Sequence, residues 1–252
     1  NRVFGKYFLI ICFSFVCLFV LGACGGAEAE PTATAAPTPT PFVDYTDKHL
    51  KVTVTDSGYD IFSPEEGSKW GYRYGPSIML NEDGSMDAWF AAPGVFDDLD
   101  WFSYRHSADG KTWTDDKMVL YPTANSLDAL SVCDPGVIYL NGYYYIGYTS
   151  TIDGTSGGLC NSAFVARSKN PDGPFEKWNG SGWGGDPFPI VYFDEPASKW
   201  GAGEVSFVEK DGTLYIYYTW KSTKIPEERI YQTRLSTADA DNENWPATME
   251  YK

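Results

Sequence analysis

The stretch that decides the fold is CDPGVIYLNGYYYIGYTS, which runs from Cys133 to Ser150. It contains two apolar and aromatic runs separated by Asn141-Gly142, and an Asn-Gly pair between two such runs is a strong signal for a β-hairpin. A single acid, Asp134, stands before a proline at the start of the first run. The stretch therefore predicts a hairpin with one carboxylate at the mouth of a strand that otherwise has the composition of a core strand.

The same arrangement occurs three times along the chain. Each unit has an apolar strand, a tight turn, an aromatic strand and a further strand, followed by a tryptophan. The turns are Glu82-Asp83-Gly84, Asn141-Gly142 and Lys210-Asp211-Gly212. No long stretch shows the 3.6-residue period of an amphipathic helix, so the pattern predicts an all-β fold. A repeated unit of three to four strands is typical of a propeller blade.

The predicted fold is thus a β-propeller of which about three blades are visible. The first strand of a blade lies along the central channel, so Asp134 is expected to face an axial pocket. Glu204 occupies the matching place in the third unit, and Gly75 occupies it in the first. The domain is assigned to residues 43–252. Because the chain stops soon after the third unit, we expect this domain to be a piece of a larger propeller.

Either acid alone has an ordinary explanation. An Asp before Pro is commonly a turn former, and a Glu after Gly-Ala-Gly can be a solvated loop residue. At equivalent places of neighbouring blades, however, Asp134 and Glu204 would converge on one cleft. Cleavage of a glycosidic bond uses such a pair, in which one acid of raised pKa protonates the leaving oxygen and a second carboxylate acts on the opposite face.

The stretches CDPGVIYLNGYYYIGYTS and GAGEVSFVEKDGTLYIYYTW resemble the second and third blades of the five-bladed glycoside hydrolases of families 43, 32 and 62. The resemblance covers roughly Trp70 to Trp220. It implies hydrolysis of O-glycosidic bonds in poly- or oligosaccharides, with arabinose- and xylose-type substrates favoured. By position, Glu204 matches the general acid of the family, and Asp134 matches the aspartate that orients this acid and raises its pKa.

The third acid of the family, its base or nucleophile, starts the inner strand of the first blade, where this chain has Gly75. A substitute is expected from GVFDDLDW, in which Asp98 lies between Asp97 and Asp100 on the loop after the second strand. Two hypotheses follow. The protein is a glycosidase with Glu204, Asp134 and Asp98 as catalytic acids, or it is a non-catalytic carbohydrate-binding protein on a degenerate propeller.

Several side chains near the expected mouth suit a sugar ligand, because flat rings stack on the apolar faces of sugar rings. The predicted substrate-binding residues are Trp70, Arg73, Tyr74, Trp101 and Trp200. For Arg73 a surface salt bridge is the alternative to a contact with a hydroxyl or carboxylate group. Four other tryptophans are expected to pack within and between blades: Trp89, Trp113, Trp178 and Trp245.

The first residues of the chain carry a targeting signal. Residues 1–23 have Arg2 and Lys6, an apolar run and small residues, as in a secretory signal peptide. The run ends in LGAC, which resembles the bacterial lipobox and implies that Cys24 is lipidated and anchors the protein on the extracellular face of the membrane. An ordinary signal or an uncleaved anchor is the alternative. Residues 24–42, rich in Ala, Thr and Pro, predict an extended spacer.

The amino-acid composition limits the classes of partner that the protein can bind. The chain has 19 Lys and Arg against 34 Asp and Glu, with a net charge of −15, and such a surface repels nucleic acid. A carbohydrate, and a membrane through Cys24, are the predicted partners. The sequence indicates no catalytic metal or other cofactor and leaves open a structural calcium ion on the axis. It also leaves open a disulfide between Cys133 and Cys160.

A sialidase-like propeller is the lesser alternative. The turn SADGKTW, residues 107–113, resembles a shortened Asp-box, the turn found in sialidase propellers. This turn appears once and is structural wherever it occurs. A sialidase also needs three arginines and a tyrosine nucleophile, and the chain after the signal has few arginines.

Overall fold

Three four-stranded antiparallel sheets make up the part of the chain that the structure, a computed structural model, describes. The described residues are 71–94, 99–151, 160–194, 200–222 and 230–252. Within these ranges there is no α-helix, and the one helical segment is a short 3₁₀ helix at Trp245–Thr248. No helix in the described ranges is long and apolar enough to cross a membrane.

Each sheet is a meander in which strands adjacent in sequence are hydrogen-bonded neighbours. The first sheet contains β1 (Tyr74–Leu80), β2 (Met86–Pro93), β3 (Asp100–Ser107) and β4 (Lys117–Leu120). The second contains β5 (Cys133–Leu140), β6 (Tyr143–Ser150), β7 (Ser162–Ser168) and β8 (Glu176–Lys177). The third contains β9 (Gly201–Lys210), β10 (Thr213–Lys221), β11 (Gln232–Asp239) and β12 (Glu250–Tyr251). These three sheets, here called blades 1, 2 and 3, are the three units predicted from the sequence.

Blade 2 is covered on both faces, which explains why its strands are apolar at nearly every position. Successive side chains of a strand point to opposite faces of a sheet. Ile146 and Tyr148 of β6 pack in one core with Trp89 and Phe102 of blade 1. Tyr145, between them in sequence, packs in a second core with blade 3. The consecutive tyrosines of the stretch that begins at Cys133 therefore contribute to two different interfaces between blades.

Blades 2 and 3 approach each other most closely along their inner strands, β5 and β9. A Cβ atom added to Gly136 of β5 would lie 1.8 Å from the backbone oxygen of Val205 in β9. One added to Gly147 of β6 would lie 2.7 Å from the Cβ of Val205. The absence of a side chain at Gly136 lets β5 and β9 come into backbone contact, and its absence at Gly147 makes room for the Val205 side chain.

Each inner strand carries an irregularity at the same place. The register of the β1–β2 pair shifts between Tyr74 and Ser77, and that of the β5–β6 pair shifts between Cys133 and Gly136. The β9–β10 pair shifts opposite Glu204, between Tyr217 and Thr219. The residue at each irregularity has a left-handed backbone: φ is 59° at Gly75, 58° at Asp134 and 53° at Glu204. The structural equivalence of these three positions is thereby established, as the repeats predicted.

The connection from blade 1 to blade 2 is fixed by a buried ion pair. Asp128 in this connection is fully buried and contacts Lys177 of β8, whose ammonium group also donates to the Tyr121 backbone oxygen at 2.6 Å. Tyr148 of β6 donates to the same Asp128 carboxylate at 2.9 Å. Burial lowers the pKa of Lys177, and the carboxylate opposes this effect. This network fixes the path of the chain as it enters β5.

Candidate functional site

The three equivalent positions lie at one end of neighbouring inner strands. A Cβ atom added to Gly75 would lie 3.9 Å from the Cδ of Pro135, the residue that follows Asp134. On the other side of β5, the backbone contact between Gly136 and Val205 lies next to Glu204. Because a bulge re-aims the side chain that it carries, the left-handed residues Asp134 and Glu204 turn away from the regular alternation of their strands.

Thr149 of β6 links the two predicted catalytic acids. The backbone N–H of Glu204 donates a hydrogen bond to Thr149 Oγ1 at 2.8 Å. Thr149 also pairs across the sheet with Cys133, the residue before Asp134, and its hydroxyl group lowers the pKa of Asp134. Gly203 makes room for this contact, since an added Cβ atom there would lie 2.3 Å from Thr149 Oγ1. Thr149 is 1% exposed. One buried hydroxyl group thus holds the start of β5 and the bulge of β9 in register.

The electrostatics of the site centre on Asp134. Burial raises the pKa of Asp134 above its usual value, and the negative charges of Glu204 and Asp100 raise it further. The neighbouring Thr149 hydroxyl and Cys133 thiol groups lower the pKa of Asp134 but do not cancel the rise. The backbone of Glu204 is bonded to Thr149 on the strand beside β5, so the two acids stand on neighbouring strand ends, and the meeting of their carboxyl groups in one pocket stays a prediction.

Glu204 differs from Asp134 in its environment. Its side chain is exposed, whereas Asp134 is only partly accessible. An exposed carboxyl group beside a partly buried one gives the site one acid that is open to a ligand and one that is held by the protein. Their catalytic roles remain predictions.

A third acid, Asp100, belongs to the same site. Asp100 begins β3 of blade 1, and its carboxylate accepts a hydrogen bond from the hydroxyl group of Tyr74 at 2.7 Å. Burial raises the pKa of Tyr74, and Cys133, Asp100 and Asp134 contribute to this rise. Tyr74, predicted to contact substrate, is 40% exposed and therefore reaches the protein surface beside Asp100.

Cys133 lines the site as a thiol and is not joined to Cys160 in a disulfide. Burial raises the pKa of Cys133 well above its usual value, and the charges of Asp134 and Asp100 add to this effect. Its Sγ donates a weak hydrogen bond to the backbone oxygen of Thr149 at 3.4 Å. Because a thiol in these surroundings resists ionisation, it is a poor nucleophile.

The other predicted binding residues have protein partners. Arg73 forms an ion pair with Asp116, with 2.6 Å between Nη2 and Oδ2, so the salt bridge foreseen as the alternative for Arg73 is present. Trp101 packs against Tyr121, with ring centroids 5.4 Å apart. Trp200, which precedes β9, is half-buried and packs edge to face with a second aromatic ring at 5.8 Å.

Several predictions lie outside the described residues. These are the roles of Trp70, Asp98 and Cys24, the signal peptide of residues 1–23 and the spacer of residues 24–42. Of the three acids in GVFDDLDW, Asp100 is described and lies at the site. In the described part of the chain, no group of three or more His, Cys, Asp or Glu side chains is arranged to hold a metal ion.

Comparison with known proteins identifies the fold. Neither a protein-family model nor a curated protein sequence matches the chain. Among solved structures, Zg3597, a family 117 glycoside hydrolase from the marine bacterium Zobellia galactanivorans, is 20% identical with a TM-score of 0.51, over 71% of this chain and 55% of its own. A thermostable family 43 glycoside hydrolase is 16% identical with a TM-score of 0.52, over 71% and 57% of the two chains.

An exo-1,5-α-L-arabinanase from a bovine ruminal metagenomic library is also similar. It is 17% identical with a TM-score of 0.51, over 74% of this chain and 58% of its own. The chain thus spans 55%, 57% and 58% of the lengths of the three structures. At these identities the likeness shows the fold alone. The fold is a partial β-propeller similar to the folds of these glycoside hydrolases, and the predicted fold class is confirmed.

Proposed function

We propose that the protein hydrolyses O-glycosidic bonds of poly- or oligosaccharides, with arabinose- and xylose-type sugars as the first substrates to test. The observation that supports the proposal is that Asp134 and Glu204 stand at one end of neighbouring inner strands, where the Glu204 N–H is bonded to Thr149 of the strand beside β5. Paired carboxyl groups in unlike environments are what acid-assisted glycoside cleavage requires. The fold is that of solved glycoside hydrolases, and one of these is named an arabinanase.

In this proposal the exposed Glu204 donates a proton to the glycosidic oxygen. Asp134, held by Thr149, orients this acid and keeps a second negative charge near it. A sugar ring has an aromatic surface to contact nearby, because Trp200 lies four residues before Glu204 and packs against the exposed Tyr231.

Leaving-group dependence tests the role of Glu204. The probes are phenyl and 2,4-dinitrophenyl glycosides of α-L-arabinofuranose and β-D-xylopyranose. We expect Glu204→Gln to lower kcat/KM on the phenyl glycoside by about 10²–10⁴-fold. The loss on the dinitrophenyl glycoside will be much smaller, because dinitrophenolate leaves without a proton.

The matched control for this test is Glu209→Gln. Glu209 is an exposed residue on the same strand, and its Oε1 accepts a hydrogen bond from the Gly212 N–H at 3.0 Å, which a glutamine oxygen also accepts. We expect this variant to behave as the wild type does. If Glu204→Gln cleaves the phenyl glycoside undiminished, Glu204 is not the acid.

The glycine at position 75 supports a second candidate function, which is carbohydrate binding without catalysis. The first blade has the same left-handed bulge as the other two but no carboxylate on it. Binding of arabino- or xylo-oligosaccharides with no turnover of any activated glycoside by the wild type would establish this function in place of hydrolysis. For either function, the proposed location is the extracellular face of a bacterial membrane, with the anchor at Cys24.

A further inference from the structure

A glycosidase with this site needs a base that the inner strand of blade 1 does not supply. Gly75 shares the left-handed backbone of Asp134 and Glu204, but it carries no side chain. Water is a weak nucleophile at neutral pH, and a carboxylate that removes its proton contributes about 10²–10⁴-fold to the rate. Within the described part of the chain, a carboxylate on another strand that ends beside Asp134 is the candidate for this base.

Asp100 is fixed at this cleft by both its backbone and its side chain. Its backbone oxygen accepts a hydrogen bond from the N–H of Val132 at 2.8 Å, which holds the first residue of β3 beside the segment that enters β5. Its Oδ2 accepts the hydroxyl group of Tyr74 at 2.7 Å. Tyr74 directly precedes Gly75, so its hydrogen bond links the position on β1 that lacks an acid to the carboxylate on β3.

The three carboxylates of the site belong to three successive blades. The pKa of Asp134, on the inner strand of the middle blade, is raised by the charges of both Glu204 and Asp100. Glu204 belongs to blade 3 and Asp100 to blade 1, and β5 packs against the inner strands of both neighbouring blades. Asp134 is therefore the middle member, and the other two carboxyl groups flank it. An acid and a base on two sides of the scissile bond is the geometry of inverting glycosidases.

We infer that Asp100 is the general base of the site, held by Tyr74, in place of the side chain that Gly75 lacks. This inference rests on the proposed function. The oxygen of a water molecule bonds to the anomeric carbon while the bond from this carbon to the glycosidic oxygen breaks. The proton of Glu204 passes to the leaving oxygen, and a proton of the water passes to Oδ1 of Asp100. The product sugar has the inverted anomeric configuration.

Glycosyl fluorides separate the base from the acid, because fluoride leaves without protonation but the attacking water still needs a base. The probes are α-L-arabinofuranosyl and β-D-xylopyranosyl fluoride, with the aryl glycosides described above. We expect Asp100→Asn to lower kcat/KM by about 10²–10⁴-fold on both the fluoride and the phenyl glycoside. Glu204→Gln should lose activity on the phenyl glycoside but keep most of it on the fluoride.

The stereochemistry gives a further readout. Proton NMR of the first-formed sugar should show inversion. Asp115→Asn, which changes an exposed acid of blade 1, is the control and should match the wild type.

A second variant keeps the inference testable if Asp100→Asn does not fold. Tyr74→Phe retains the Asp100 carboxylate and removes only the hydroxyl group that holds it. We expect kcat on the fluoride to fall about tenfold with KM unchanged, which corresponds to the loss of one hydrogen bond to a charged group.

The outcomes distinguish this inference from the proposed function. Retention of anomeric configuration, or a folded Asp100→Asn variant that cleaves the fluoride as the wild type does, overturns the assignment of Asp100 and leaves glycoside hydrolysis standing. A wild type that cleaves neither fluorides nor aryl glycosides overturns both.

Discussion

Asp134 and Glu204 adopt a backbone conformation that residues with a side chain rarely adopt. A left-handed φ costs an L-residue roughly 1–2 kcal/mol, and both acids have one, at 58° and 53°. Two such residues at equivalent places of neighbouring blades indicate a functional reason for this strained backbone, which sets the direction of each carboxyl group. Gly75 has the same conformation without this strain, so blade 1 keeps the backbone geometry and lacks only the acid.

The raised pKa of Asp134 predicts a pH-dependent effect on stability. Since the folded pKa lies above the usual value of 3.8, the folded state binds the proton more tightly than the unfolded state does. Ionised Asp134 therefore costs stability at neutral pH, and the cost disappears once the pH falls below the unfolded pKa. We predict that Asp134→Asn unfolds at a higher temperature than the wild type at pH 7, and that the difference shrinks towards pH 3.

Thermal unfolding from pH 3 to pH 8 measures this effect. A gain of 1 kcal/mol would appear as a rise of about 2–4 °C in the unfolding temperature of a chain of this size. Asn tolerates a left-handed φ, and any gain from this source is independent of pH, so the pH dependence isolates the charge. Asp115→Asn, on the surface of blade 1, should show no such dependence. A constant difference between Asp134→Asn and the wild type at all pH values would contradict the prediction.

The repeats were sufficient to predict that the Asp134 and Glu204 positions are equivalent and close. They could not predict Thr149, because its contact with the Glu204 N–H joins residues 55 positions apart and depends on how two sheets stack. Asp100 was one of three acids in a short acidic run. What distinguishes it in the structure is its hydrogen bond from the hydroxyl group of Tyr74, a residue of another strand of blade 1. A hydrogen bond between side chains of two different strands cannot be predicted from the local sequence around either residue.

At the scale of the strands, the backbone contact between β5 and β9 sets the position of the site. Gly136 lies two residues after Asp134, and Val205 lies one residue after Glu204, so their contact fixes the separation of the two bulges. The hydrogen bond from the Val137 N–H to Ser77 Oγ, at 3.2 Å, ties β5 to β1 on its other side. The site is therefore positioned by contacts between strands of different blades.

A side chain at Gly136 should separate these strands. In Gly136→Ala the new Cβ would overlap the backbone oxygen of Val205, and backbone cannot swing aside as a flexible side chain can. We predict a loss of about 1–3 kcal/mol in the free energy of unfolding, as is typical of overpacked sites, and a loss of glycosidase activity as the bulges move apart. Denaturant unfolding and activity on aryl glycosides measure the two effects.

Gly182→Ala is the matched control for this substitution. An added Cβ atom at Gly182 meets nothing within 4 Å, and the residue needs no left-handed backbone. We expect the control to change the free energy of unfolding by less than about 0.5 kcal/mol. If the two variants have equal stability and activity, close approach of β5 and β9 does not position the site.

At the scale of the whole molecule, the described part is a row of three sheets whose middle member is packed on both sides. The consecutive apolar and aromatic positions of β6 fit this arrangement, because a strand with one buried face would need only alternate apolar residues. Alternate residues of the blade 2 strands belong to the core shared with blade 1 and to the core shared with blade 3. Disrupting blade 2 therefore exposes both cores. On the face of blade 3 that is turned away from blade 2, Val208 and Tyr217 are 51% and 37% exposed in the part of the chain that the structure describes.

This difference in packing predicts a gradient of amide hydrogen exchange. Strands packed on both faces open only when the whole unit unfolds, whereas strands with one covered face open in smaller steps. We predict that the amides of β6 exchange slowest and with the full denaturant dependence of global unfolding. The amides of β11 and β12 should exchange at least about tenfold faster, which corresponds to a difference of about 1.4 kcal/mol in opening free energy. Equal rates and equal denaturant dependence in β6 and β11 would mean instead that the three blades open only together.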